Sequence, residues 1–142
     1  MSYDDYAAME DLIEWTPALS VGNEVIDKEH QILLEMINRL YAATFMNTSD
    51  SLAEKIVNEL IDYTHTHFNH EETFLKEQGY KGLEQHRIIH NELVRQVIDF
   101  KFAIKSGTVK TSGNELEKFL RSWMIKHIQG HDFEYADNLS LR

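Results

Sequence analysis

The densest chemistry in this 142-residue chain is the run His67-Phe68-Asn69-His70-Glu71-Glu72. His65, His67 and His70 crowd in front of two glutamates. Residues four apart share a helix face, and only one of the three histidines has a possible ligand at that distance. His65 is followed there by Asn69 and His70 by Phe74, but His67 is followed by Glu71. An imidazole and a carboxylate so placed can reach one metal ion or a pair of them. His86 and His90 make a second pair at the same spacing, starting fifteen residues after Glu71. Two such pairs make a metal site the leading reading.

The segments that must present these groups read as helices. Ile26, His30, Leu33, Ile37, Leu40 and Thr44 recur at helical spacing, and Met46-Asn47-Thr48-Ser49 interrupts them. Ser49 or Asp50 can cap the next helix. Its stripe is Leu52, Ile56, Leu60 or Glu59, Tyr63, His67, Glu71 and Phe74, and Gly79 is its natural stop. A third helix, from about Gly82 to Lys105, carries Leu83, His86, His90, Leu93, Val97, Phe100 and Ile104. A polar loop to about Gly113 leads to a fourth, with Leu116, Phe119, Leu120, Trp123 and His127, which meets Gly130. Short connections imply antiparallel neighbours. The expected fold is all-α, an antiparallel up-down-up-down four-helix bundle over 23–130. An irregular N-terminal arm over 1–22 holds the only proline, Pro17, and Trp15, Leu19 and Val21 can anchor it. Residues 131–142 read as a tail packed on the surface of a single domain.

A lone inward histidine is more often a hydrogen-bonded core residue than a ligand. Here His30, His67, His86, His90 and His127 each replace an aliphatic residue on the apolar stripe of its helix, and all four helices contribute. A buried neutral imidazole needs partners for both ring nitrogens, and five together are hard to satisfy without metal. His65 falls about 200° round the helix from His67 and reads as a surface residue, while His70 reads as a bystander. A second carboxylate remains open. After His127, His131 has the i+4 spacing and Glu134 the i+7 spacing. Asp132, at i+5, falls about 140° off the face of an ideal helix. Gly130 suggests that the ideal helix does not continue there, and a multi-metal site holding Glu71 alone favours another anion.

Composition bounds the partners. The formal charge is −10 and there is no basic patch, which argues against nucleic acid. No apolar run reaches membrane-spanning length, so no membrane insertion is expected. With no cysteine, disulfides and thiolate metal sites are ruled out. The first residues lack the plan of a signal peptide, so a cytoplasmic protein is expected.

The ordered set of motifs resembles the hemerythrin family, in particular its bacterial single-domain members. The resemblance covers Glu14-Trp15-Thr16-Pro17 and Leu19-Ser20-Val21-Gly22 in the arm, then Ile26-Asp27 and His30. It continues through His67-Phe68, Glu71-Glu72, His86 and His90 to Trp123, His127-Ile128 and Asp132. It implies two iron ions in a non-haem centre with O2 as ligand. His86, His90 and His127 would hold one iron, and His30 with His67 the other, which keeps an open position. Glu71 and Asp132 would bridge them beside an oxo or hydroxo group, so the resemblance decides for Asp132.

Ligand type alone would also admit zinc or copper. Five imidazoles with two carboxylates are poorer in anions than ferritin-like sites with four glutamates, which favours returning O2 over splitting it. An apolar pocket must exclude water. Leu33, Phe68, Trp123 and Ile128 lie beside or one turn from a ligand, and ordinary core packing explains them equally well. The expectation is a carrier or store of O2, not an enzyme, with a possible protein recipient. The alternatives are an O2 or redox sensor, for which the chain shows no output domain, and a di-iron oxidase or peroxidase, for which no pocket proton donor stands out.

Overall fold

The computed structural model describes residues 13–45, 50–106 and 114–142. The predicted break at 46–49 with its cap, the polar loop ending near Gly113, and the side chain of Leu116 lie outside the described residues. A short 3-10 turn, Pro17–Leu19, precedes three long helices: α1 (Glu24–Phe45), α2 (Asp50–Glu77) and α3 (Leu83–Ser106). The fourth helix starts as α4 (Asn114–Arg121), widens into two π turns, Ser122–Lys126 and Ile128–Asp132, and ends as α5 (Phe133–Asn138). The four columns form the predicted antiparallel bundle, with no strand among the described residues.

Local signals explain the ends. Asn23 caps α1, its Oδ1 accepting from Ile26 N–H at 3.0 Å. Asp27 pins the arm, accepting from Ser20 Oγ–H at 2.6 Å and Val21 N–H at 2.9 Å. The Asn38 side chain exchanges two hydrogen bonds with the backbone of Ile13. Ile13, Leu19 and Val21 are buried, so residues 13–22 lie on the bundle as an irregular strap. α2 stops as expected. Gly79 has φ +66°, Tyr80 N–H donates to Leu75 O and Gly79 N–H to Lys76 O, closing a Schellman turn.

The core is split. Leu33, Ile37, Leu60, Val97, Leu120 and Trp123 belong to a large apolar cluster. Val21, Ile26, Leu75, Tyr135 and Ala136 form a smaller one. Along every column the predicted ligands fall between the two. His30 lies between Ile26 and Leu33, His67 and Glu71 between Leu60 and Leu75, and His127 and Asp132 between Met124 and Tyr135. The apolar layers, each large side chain contributing roughly 1.5–3 kcal/mol, thus clamp a polar layer inside the bundle.

Two expectations give way. Leu52 does not join the buried stripe of α2 but is 39% exposed. The chain after Gly130 is not a surface tail. Gly130 sits inside a π turn, the helix continues to Asn138, and Tyr135 and Ala136 are fully buried.

Candidate metal centre

His67 and Glu71 face inward from α2, and His86 and His90 from α3, because the α-helix stacks residues four apart. His30 enters from α1 and meets the His67 ring at 4.8 Å between centroids. The fourth helix needs a different device. Phe133 N–H donates to Ile128 O, a bond across five residues that widens the turn. That widening stacks Asp132 under His127, where an ideal α-helix would have turned it away. His131, favoured by simple spacing, is exposed instead.

The two carboxylates are fully buried and face two ways. Glu71 Oε1 lies 2.8 Å from His86 Nε2 and 3.0 Å from His90 Nε2. Its Oε2 lies 3.6 Å from His67 Nε2 and 3.8 Å from His30 Nε2. Asp132 Oδ1 lies 3.2 Å from His86 Nε2 and 3.1 Å from His127 Nε2, while Oδ2 lies 3.2 Å from His30 Nε2. Between them, Glu71 Oε1 and Asp132 Oδ1 therefore face His86, His90 and His127, while Glu71 Oε2 and Asp132 Oδ2 face His30 and His67. Ligand atoms of Glu71, His86, His90, His127 and Asp132 lie within 4.8 Å of one another, as do those of His30, His67 and Glu71.

These residues fit a pair of cations. The Nε2 atoms of His30, His67, His90 and His127 and both oxygens of Asp132 are buried without a hydrogen-bond partner among the described residues. Several approach an oxygen closely, but not in line for a hydrogen bond. Buried polar atoms left this way are costly, and a cation between them satisfies all of them at once. Without metal, the cluster holds its charges by mutual pairing. Burial and the Asp132 charge work against ionisation of Glu71, but the hydrogen bond with His86 and the close His90 and His67 imidazoles outweigh them and hold its carboxyl well below the usual range. Asp132 is lowered likewise, burial being overcome by His127, His30 and His86. Burial alone would depress His86, yet Asp132 and Glu71 push it up to about 10.

A further ring of residues steadies the centre. His67 Nδ1–H donates to Glu29 Oε1 at 2.9 Å, and His70 Nδ1 lies 2.5 Å from Glu29 Oε2. His70 is thus no bystander without a partner, although its side chain is 57% exposed. Burial opposes ionisation of Glu29, but the hydrogen bonds to His67 and His70 bring its carboxyl below the ordinary value. His90 Nδ1–H donates to Glu72 Oε2 at 2.8 Å, and Arg87 Nε–H to Glu72 Oε1 at 3.2 Å. Tyr135 Oη–H donates to Glu71 Oε2 at 2.9 Å. Burial, then the Glu71 and Asp132 charges, push the phenol's pKa up, so it stays a donor. The sequence reading missed Glu29, Glu72 and Tyr135 as partners. The only signal was adjacency, Glu29 preceding His30 and Glu72 following Glu71.

Leu33, Phe68, Trp123 and Ile128 are all buried. Phe68 stacks on His90 with ring centroids 3.7 Å apart and also flanks His67 and His127. Trp123 Nε1–H donates to Leu93 O at 2.9 Å. Outside it runs a groove of about 740 Å³ between α3 and the fourth helix, lined by Ile88, Leu93, Phe119, Trp123 and His127 among others.

Five histidines and two carboxylates gathered in the middle of a four-helix bundle define a protein of the dinuclear metal-binding bundle class. Residues 21–139 match the family model for the hemerythrin HHE cation binding domain. A bacteriohemerythrin of Pseudomonas aeruginosa is 35% identical over 87% of this chain and 78% of its own. A myohemerythrin of Riftia pachyptila is 30% identical over 88% of this chain and 92% of its own. A crystal structure of wild-type hemerythrin superposes with a TM-score of 0.77 at 29% identity, covering 91% of this chain and 98% of that one. The chain belongs to the hemerythrin family. Among the described residues, no helix is long and apolar enough to cross a membrane.

Proposed function

We propose that this chain carries or stores O2, with His86, His90 and His127 holding one iron, His30 and His67 the other, and Glu71 and Asp132 spanning both. As a hemerythrin it binds O2 reversibly at a non-haem di-iron centre. The observation that carries the assignment is the division of the two carboxylates, whose Oε1 and Oδ1 together face His86, His90 and His127 and whose Oε2 and Oδ2 face His30 and His67. The shortfall of one ligand on the His30–His67 side supports an open position there.

The iron pair supplies the electrons that make O2 binding reversible, and the chain's own residues protect that chemistry. Leu33, Phe68, Trp123 and Ile128 keep water from the centre by close packing. Tyr135 keeps its proton and donates a hydrogen bond to Glu71, fixing that carboxylate's orientation. A cytoplasmic site of action fits the charge and the lack of cysteine, and a recipient protein for the O2 is part of the same reading.

Loading with iron and cycling between air and argon tests the proposal. Two irons per chain and a visible band that develops with air and vanishes under argon are expected. A protein that ends ferric after one exposure, with substrate consumed, is an oxidase instead.

A further inference from the structure

One side chain outside the ligand set has the geometry to decide whether the open iron has a site at all. His67 is 1% exposed, and its two ring nitrogens face different groups. Nε2 points at Glu71 and Nδ1 at Glu29. An ionised carboxylate only accepts hydrogen bonds, so Glu29 fixes the proton on Nδ1 and leaves the Nε2 lone pair facing inward. A metal ligand needs that nitrogen unprotonated. Without an acceptor at Nδ1, the neutral ring divides between two tautomers and is free to turn.

Glu29 is itself held. It is 8% exposed, and its second oxygen is engaged by His70 at the surface. His67, Glu29 and His70 therefore form a continuous hydrogen-bonded strut from the centre to solvent, joining α1 to α2. A parallel strut, His90–Glu72–Arg87, backs the three-histidine side. Such support is not general: Nδ1 of His30 and Nδ1 of His127 are buried and have no hydrogen-bond partner among the described residues. The two struts also differ in what they guard. If His90 loosens, its iron keeps two other histidines, but if His67 loosens, its iron keeps His30 alone.

We propose that Glu29 is the positioning residue of the two-histidine metal site, setting the tautomer and ring orientation of His67, with His70 locking Glu29 in turn. The inference rests on the ligand assignment made above. It predicts a selective effect, in which loss of Glu29 weakens one metal site and spares the other.

Zinc(II), which is diamagnetic, is the probe. The full chain with 15N-labelled histidine is titrated with zinc against a competing chelator, and the ring nitrogens are followed by NMR. The wild type is expected to bind two zinc ions, with a slowly exchanging proton on His67 Nδ1. In Glu29→Ala one zinc ion binds about 10–100-fold more weakly, as for other outer partners of metal-bound histidine. The Nδ1 proton then exchanges rapidly, and the second zinc is unaffected. In Glu29→Gln the amide oxygen still accepts, so affinity returns most of the way to wild type. Two unchanged zinc affinities in Glu29→Ala overturn the proposal, and so does Glu29→Gln losing as much as Glu29→Ala. If Glu29→Ala does not fold, Glu29→Gln decides: the Nδ1 proton must stay protected and its resonance must move, and an unmoved resonance refutes the contact. His67→Ala separates the two levels of inference. If it keeps both zinc ions, the ligand assignment has failed. If it loses one while Glu29→Ala loses none, only the positioning role has failed.

Discussion

Replacing Trp123 with alanine tests whether the wall between the outer groove and the metal layer protects the oxygenated protein. Trp123 is 4% exposed, and its indole donates a hydrogen bond to Leu93 O on α3. Truncating a buried tryptophan costs roughly 3–5 kcal/mol when the site cannot collapse. The lost hydrogen bond is part of that figure and amounts to about 1 kcal/mol. For a chain of this length the melting temperature should fall on the order of 10–20 °C. Function should change for a separate reason. Trp123 and His127 both line the groove outside the bundle, so the vacated volume opens a path for water from that groove to a ligand's side. The oxygenated form should then decay to the ferric form faster than wild type, while iron content stays at two per chain. Trp123→Phe keeps most of the volume and loses only the hydrogen bond, so it should fall between the two. The assay is the decay of the visible band of the oxygenated protein, timed for all three in one buffer at a temperature where each is folded. If Trp123→Ala keeps its iron and its oxygenated form lasts as long as wild type, Trp123 is core packing alone and the wall is wrongly placed.

Asp132→Ala should lose iron and His131→Ala should not, since the π turn buries the first and exposes the second; metal analysis giving the reverse would reject the ligand set. Removing iron should lower the melting temperature, because metal that binds only the folded chain stabilises it, and should speed amide exchange around His67–Glu71 and His86–His90; equal melting of both forms contradicts this. The iron-free protein should also respond to pH in a defined sense. His86, raised from 6.5 to about 10, contributes stability that is full below 6.5 and is lost as pH rises toward 10. Glu71 and Asp132 are lowered from 4.5 and 3.8, so theirs is full above those values and is lost in acid. Denaturant midpoints should therefore peak between 4.5 and 6.5, and a midpoint rising from neutral to alkaline pH would count against the charge pairing. Gly22→Ala should destabilise by roughly 1–3 kcal/mol, because φ is +83° and an added Cβ would lie 1.9 Å from Leu141 O; a denaturation curve matching wild type would show that the strap can move away.

How much of this was legible in the sequence follows from how local each feature is. The four-helix bundle and the pairs His67–Glu71 and His86–His90 could be read directly, because the α-helix fixes what lies four residues on. His30 and His127 could be read because each takes an aliphatic position in its stripe. Asp132 could not be chosen over His131 by spacing, since its inward position depends on turns wider than the α-helix; charge favoured an anion, and only the motif resemblance decided for Asp132. The same blind spot turned buried Tyr135 into part of a tail. Glu29 and Glu72 each sit next to a ligand in sequence, about 100° round the helix from it, which in one dimension is the signature of a solvent face. Only packing decides that this face meets the Nδ1 edge of a histidine, His67 of α2 for Glu29 on α1 and His90 of α3 for Glu72 on α2. The sequence by itself determined which residues could bind metal and which helices carry them. The tertiary structure decided which oxygen faces which histidine and what holds each ring in place, because these depend on distances between helices and on the local pitch of one of them, neither of which is encoded in the spacing along a single chain.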